Sequence, residues 1–425
     1  MSRLIAFGLL GALMFVFGCG SGSNSTSPTV GGGSGGSSAQ NSVTITVDGG
    51  PAGIGGLYPD AAFATVTLCV PGTSNCQNID HVLIDTGSVG LRILKSGSTA
   101  LTLPLAQVGN LAECYQFVAS FTWGPVMMAD VKMAGEVASN IPIQVIGDST
   151  TNAGFPAVPT TCQNSVVSCP GGQCSADTLQ NLGANGLLGV GSFVQDCGSA
   201  CASSANVGLY YSCPTGSSCV ETTASLNQQV PNPVAEFASD NNGVMIDLPA
   251  IASASGQATA VGTMFFGIGT QSNNALGNAT IFQLDQFGDF TTVYKGQSYP
   301  GSFLDSGSNG IFFLTDAITL MSDANCGGTS GVWYCPASTT NFSTSTQGTT
   351  GSETVAFNAA NANQLFSGSN TAFSDLTGPN STCFVNLTTT APCFDWGLPF
   401  FFGRRVFTAI NGLNTPAGVG PYWAY

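Results

Sequence analysis

The sequence predicts an all-β chain folded as two pseudo-symmetric, barrel-like lobes with a central cleft, and three observations predict it. Alternating apolar and polar runs such as Val43-Thr44-Ile45-Thr46-Val47, Ala64-Thr65-Val66-Thr67-Leu68 and Ile141-Pro142-Ile143-Gln144-Val145 recur along the chain, split by Gly, Ser and Asn turns. Two short runs repeat each other 220 positions apart: Asp85-Thr86-Gly87-Ser88-Val89-Gly90-Leu91 and Asp305-Ser306-Gly307-Ser308-Asn309-Gly310-Ile311. About 385 of the 425 residues follow the N-terminal low-complexity stretch, more than one core usually holds. Helical signals are few, the best being Thr315 to Met321 and Asn232 to Ala238.

Taken in order, the chain opens with Arg3 and an apolar run from Leu4 to Phe17, too short to span a bilayer and of secretory-signal type. Val16-Phe17-Gly18-Cys19 fits a lipobox, which makes residues 1–18 a lipoprotein signal peptide and Cys19 the lipidated residue. Residues 19–41 are almost all Gly, Ser, Thr and Asn, a flexible tether of the kind that spaces a domain from a membrane. The expected location is therefore a bacterial cell envelope, lipid-anchored, with Gly20 after the cysteine favouring an outer membrane. Of the fifteen cysteines, fourteen remain once Cys19 is set aside, an even number that suits full pairing in an oxidising compartment. Spacing pairs Cys69 with Cys76, Cys197 with Cys201, Cys213 with Cys219, Cys326 with Cys335 and Cys383 with Cys393. Cys114, Cys162, Cys169 and Cys174 can pair in three ways.

Each repeated run follows an apolar strand, Val82-Leu83-Ile84 or Ser302-Phe303-Leu304, so each Asp stands where a buried strand breaks into a glycine turn. A carboxylate there is costly unless it has a task. Two carboxyls within hydrogen-bond reach cannot both ionise cheaply, so Asp85 and Asp305 are expected to share a proton and serve as base and acid in water-activating hydrolysis. Gly87 and Gly307 let backbone N–H groups approach the carboxylates. The hydroxyls of Thr86 and Ser306 can reach across to the opposite loop, and those of Ser88 and Ser308 can bond the neighbouring carboxylate. A single such tetrapeptide in a chain with 56 Gly would be an ordinary turn; two, each continuing as Ser-x-Gly-apolar, are a specific signal.

On these residues the chain resembles the pepsin-like aspartic peptidases, and more closely the bacterial pepsin-like lipoproteins that share their fold. Asn185-Gly186-Leu187-Leu188-Gly189 resembles the apolar-apolar-Gly segment that passes behind the first catalytic loop, and Gly262 to Gly269 resembles the strand opening the second lobe. The hairpin Phe290 to Tyr299 leads into Asp305, and Trp396-Gly397 is the second apolar-apolar-Gly element, with Phe401-Phe402-Gly403 competing for that place. The resemblance implies an N-terminal lobe over 42–235 carrying a Cys-rich insertion at 147–183, and a C-terminal lobe over 236–425. It also implies a hairpin flap with a Tyr-Gly pair, which the stretch from Cys114 to Gly135 lacks; Tyr115, Phe121 and Trp123 are the flap candidates there.

Composition narrows the partners. Seven Lys and Arg stand against 22 Asp and Glu, so no basic patch is available to neutralise phosphates, and nucleic acid is not an expected partner. Cys-x-x-Cys spacings are absent and the one His, His81, is isolated, so neither a metal nor another cofactor is expected. His81, on the strand before Asp85, is expected to face away from it or into packing, not to act in catalysis. The reading is a membrane-tethered aspartic endopeptidase, expected to be a monomer acting on a peptide or protein substrate. The alternative is a non-catalytic envelope lipoprotein of the same fold that binds a peptide, polysaccharide or protein in the cleft.

Overall fold

In a computed structural model, residues 41–117, 120–147, 155–163, 174–214, 218–314, 326, 332–379, 382–384 and 390–425 are described. The signal peptide, Cys19, all but the last residue of the tether, and the helix expected from Thr315 to Met321 lie outside them. The fold is all-β and bilobal. One sheet of 15 strands holds the first lobe and a shared base, and a sheet of seven strands forms the body of the second lobe.

The first lobe grows from the hairpin Ala62–Cys69 and Cys76–Asp85, whose ends are tied by the Cys69–Cys76 disulfide. The second of these strands ends at Asp85, and the chain returns as Val89–Leu94. Gly186–Val190 threads between the two, parallel to the first and antiparallel to the second. All five of its residues are buried, which explains why Gly-Leu-Leu-Gly-Val is apolar throughout instead of alternating. The second lobe repeats the plan. Phe290–Tyr294 and Gln297–Leu304 form the hairpin, the chain returns as Ile311–Phe312, and Asp395–Trp396 lies between them with the same pairing sense. Trp396-Gly397, not Phe402-Gly403, is thus the second apolar-apolar-Gly element.

The base joins distant parts of the chain. Ser42–Val47 pairs with Ala260–Phe266, which continues through Gly243–Asp247 and Arg405–Ala409 to Tyr422–Ala424. Gly262 to Gly269 accordingly contributes to this base, not to the body of the second lobe. Behind the second Asp loop the core is aromatic: Phe313, Phe342, Phe357, Phe394 and Trp396 pack with ring centroids 5.1 to 5.4 Å apart. Phe400, Phe401 and Phe402 are buried in the same cluster.

Two helical details differ from expectation. Asn232 to Ala238 forms only a 3₁₀ turn, Pro233–Glu236, capped by the Asn232 side chain on the Val234 N–H. Pro233 at its first position starts a turn, but the four residues are too few to sustain a helix. The insertion, where described, carries two single-turn helices, Thr160–Gln163 and Leu179–Leu182. Among the described residues no helix is long and apolar enough to cross a membrane. Five disulfides are formed there: Cys69–Cys76, Cys114–Cys162, Cys197–Cys201, Cys213–Cys219 and Cys326–Cys335. Cys174 and Cys393 are also disulfide-bonded.

Candidate active site

The two Asp loops meet tip to tip at the seam between the lobes, joined by a reciprocal set of hydrogen bonds. The Thr86 hydroxyl donates to the Leu304 carbonyl at 3.1 Å and accepts from the Ser306 N–H at 3.0 Å. Ser306 answers with a donation to the Ile84 carbonyl at 2.8 Å and accepts from the Thr86 N–H at 3.1 Å. Each hydroxyl thereby satisfies one buried donor and one buried acceptor of the opposite lobe, which fixes the lobes in register. This contact holds the carboxyls together.

Asp85 and Asp305 have no exposed surface. Within its own loop, Asp85 accepts at Oδ1 from the Gly87 N–H at 2.8 Å and the Ser88 N–H at 3.2 Å, and at Oδ2 from the Ser88 hydroxyl. Asp305 accepts at Oδ1 from the Gly307 N–H at 2.8 Å and at Oδ2 from the Ser308 hydroxyl at 2.7 Å. A Cβ on Gly307 would lie 2.8 Å from the Asp85 Oδ1 and 3.1 Å from the Asp305 Oδ1, so the close approach of the two carboxyls requires glycine.

Burial raises the pKa of Asp85, while hydrogen bonds from Asp305, Ser88 and Gly87 act in the other direction. Asp305 is pushed well above the usual carboxylate range, first by burial and then by the charges of Asp85 and Asp395. Both carboxyls are thus raised, and the pair disfavours joint ionisation and titrates as a unit.

Other residues singled out in the sequence lie elsewhere. The hairpin Ala106–Gln116 and Phe121–Met133 occupies the flap position, but Tyr210–Ser212 pairs with one edge and the segment at Cys174 to Ala176 bonds Phe121 beside its tip. Phe121 and Trp123 are buried in a cluster beneath it, with the Trp123 N–H donating to the Pro156 carbonyl at 3.1 Å. They are core residues, because the Cys114–Cys162 disulfide and the insertion cover that face. Tyr115 is 1% exposed, with the Arg92 guanidinium 3.4 Å from its ring centre, and it lines a small cavity beside Thr86 to Val89. Arg92 itself is fully buried beneath the first loop, bonded to Glu113 at 2.6 Å and Asp196 at 3.2 Å. His81 lies away from the carboxyls, with its Nδ1 2.8 Å from Asp80 and its Nε2 3.4 Å from Asp48. Among the described residues no group of three or more His, Cys, Asp or Glu side chains is arranged so that it could hold a metal ion.

Two residues that bear on the Asp pair carry no motif in the sequence. Tyr58 has its pKa raised by burial and then by the charges of Asp305 and Asp85, which places its phenol within electrostatic reach of both. It sits on the long connection between the first two strands, where no spacing rule points at the loops. Asp395 is 2% exposed, and its Oδ2 lies 2.8 Å from the Ser308 hydroxyl that also bonds Asp305. The signal for it was visible as a carboxylate in an otherwise apolar element.

The chain belongs to the family described as "Protein of unknown function (DUF3443)", whose model matches residues 37–425. No curated protein matches it. Among solved structures it is similar to the aspartic proteinase from Irpex lacteus, at 14% identity and a TM-score of 0.47, over 90% of this chain and 96% of that one.

Proposed function

We propose that the protein is an aspartic endopeptidase, tethered to a bacterial envelope membrane through Cys19, that cleaves peptide bonds with a water activated between Asp85 and Asp305. The observation that carries the reading is the pair itself: two buried carboxyls from opposite lobes, interacting side chain to side chain, each held by its own loop's N–H and hydroxyl donors. A binding role gives no reason to keep two like-charged groups together in a dry seam. In the reaction, ionised Asp85 takes a proton from water as the oxygen attacks the carbonyl carbon, and Asp305 gives its proton to the carbonyl oxygen. The tetrahedral diol then collapses as a proton passes to the leaving nitrogen, breaking the C–N bond and restoring one proton to the pair. Ser88 and Ser308 keep the outer oxygens in place through both steps. Since neither carboxyl has exposed surface, substrate access requires local opening above the loops.

The test is cleavage of an unbiased peptide library by the full chain between pH 3 and 7, beside Asp85→Asn and Asp305→Asn. The expected result is cutting that each substitution lowers by roughly 10²- to 10⁴-fold. A folded wild type that cuts nothing over that range would remove the peptidase reading.

A further inference from the structure

The two lobes use the same strand arrangement behind their Asp loops, so residues can be compared position by position. In the first lobe Leu83 faces Leu187, Ile84 faces Leu188 and Asp85 faces Gly189. In the second, Phe303 faces Asp395 and Leu304 faces Trp396. Asp395 therefore occupies the place that Leu187 holds in the first lobe, and a carboxyl replaces a core leucine directly behind the second catalytic loop.

Its contacts are unusual for a buried acid. Oδ2 lies 2.8 Å from the Ser308 hydroxyl, which lies 2.7 Å from the Asp305 Oδ2. Oδ1 is buried with no hydrogen-bond partner. Ser308 carries one hydroxyl hydrogen and so can donate to only one of the two carboxyls. If both were ionised, the other would hold a bare oxygen against the Ser308 oxygen at hydrogen-bond distance, unsolvated. The geometry is satisfied only when one of Asp305 and Asp395 carries a proton and donates back to Ser308. The first lobe has no such chain: Ser88 bonds Asp85, and the side chain at the corresponding place, Leu187, carries no polar atom. The ionisable groups that reach Asp395 are Asp305 through Ser308 and, at longer range, Asp85; its cross-strand neighbours on either side, Phe303 and Phe312, are apolar.

We propose that Asp395 is a third carboxyl of this site, a positioning residue that acts on Asp305 through the Ser308 hydroxyl and shares the site's protons with the catalytic pair. It rests on the peptidase reading only for its consequence in catalysis. The proton balance is closed: Asp395 gives its proton to Ser308 Oγ as Ser308 gives its own to Asp305, and the reverse transfer restores the start, with no other reactant. Burial and the Asp85 charge, which push Asp395 well above the carboxylate range, agree with a proton held there. In function, the third carboxyl keeps a proton on the set at a pH where an isolated pair would have lost it, extending the working range toward neutrality.

The experiment is a titration of the carboxyl carbons by ¹³C NMR in the full chain labelled at aspartate, comparing wild type with Asp395→Asn and Asp395→Leu and assigning signals with Asp305→Asn. The last proton to leave the wild-type set should leave at a pH higher by about one unit or more than in either variant, since a like charge two hydrogen bonds away has been removed. Equal midpoints in wild type and folded Asp395→Asn would overturn the proposal, as would a shift seen only in the leucine variant, which would mark a packing effect. Asn can still donate an N–H to Ser308 and so separates loss of charge from loss of the hydrogen bond. If the protein cleaves peptides, the alkaline limb of kcat/KM should move acidward in both variants together with the NMR midpoint. A uniform fall in rate at every pH, with the limb unmoved, would also overturn it. Absence of any cleavage would count against the peptidase reading and leave the titration result standing.

Discussion

The first and second Asp loops have the same backbone plan and opposite arrangements of buried charge. Seven residues beyond each Asp, on the returning strand, stand Arg92 and Phe312; facing them across the threaded strand stand Leu187 and Asp395. The first lobe thus keeps its charge on the returning strand and neutralises it outward, toward Glu113 and Asp196. Tyr210 donates to Asp196 at 2.8 Å and accepts from the Val230 N–H at 2.8 Å, so that network ties together the flap hairpin, the Asp196 loop and the connection to the base. The second lobe keeps its charge on the threaded strand and directs it inward, through Ser308 toward Asp305. The same strand plan thus carries a buried ion-pair network in one lobe and a buried carboxyl bonded toward the Asp loop in the other.

The sharpest way to break this comparison is to remove each charge. Arg92→Met strands Glu113 and Asp196 without a cation in a region of no exposure, and should cost about 3–5 kcal/mol in urea unfolding. The seam between the lobes should respond less and evenly. Thr86→Val and Ser306→Ala each leave one buried N–H and one carbonyl unpaired, so each should cost about 1–3 kcal/mol. Because the two hydroxyls belong to one network, the double variant should cost less than the sum, and strict additivity would show that they act separately. Asp395→Leu should go the other way. A carboxyl whose folded pKa is raised above its unfolded value destabilises the native state as pH rises beyond about 4, so installing the first lobe's leucine should stabilise by about 1–2 kcal/mol at pH 7 and by little at pH 3. Equal effects of Arg92→Met and Asp395→Leu, with both substitutions destabilising to the same degree, would erase the distinction between the lobes.

Features carried by contiguous residues were legible in the sequence, and features made by distant partners were not. The Asp loops, the hairpin before Asp305 and Gly186–Val190 each announce themselves within about ten residues, through strand alternation, a glycine turn and an all-apolar run. The network of Arg92 is not legible in the sequence, since its partners Glu113 and Asp196 stand 21 and 104 positions away. Aromatic residues near the expected flap looked available because composition does not reveal that Tyr210–Ser212 and a disulfide cover the hairpin. Asp395 was visible as an irregularity in Trp396-Gly397, but its meaning depends on register with Phe303, which only the fold supplies.

The last difference between the lobes lies four residues before each Asp. Both hairpins bulge there, between Ala64 and Val66 on one side and between Phe290 and Thr292 on the other, and both bulged strands need a left-handed residue. The second lobe uses Gly301 at φ 79°, whereas the first uses His81 at φ 48°, a conformation that strains a side-chain-bearing residue. Its ring offsets that strain by lying between Asp48 and Asp80, and hydrogen bonding to Asp48 is the largest cause of a pKa raised to about 8. A histidine raised in the folded state stabilises fully below its unfolded value of about 6.5 and loses that contribution as pH rises through about 8. His81→Gly, which gives the first lobe the second lobe's residue, should therefore be less stable than wild type at pH 6 and level with it or better at pH 9. The change between those conditions should be about 1 kcal/mol, because the pair is partly solvated with the ring 27% exposed. Urea unfolding of both proteins at the two pH values measures it, and a difference that does not move with pH would mean that backbone strain alone distinguishes the two bulges.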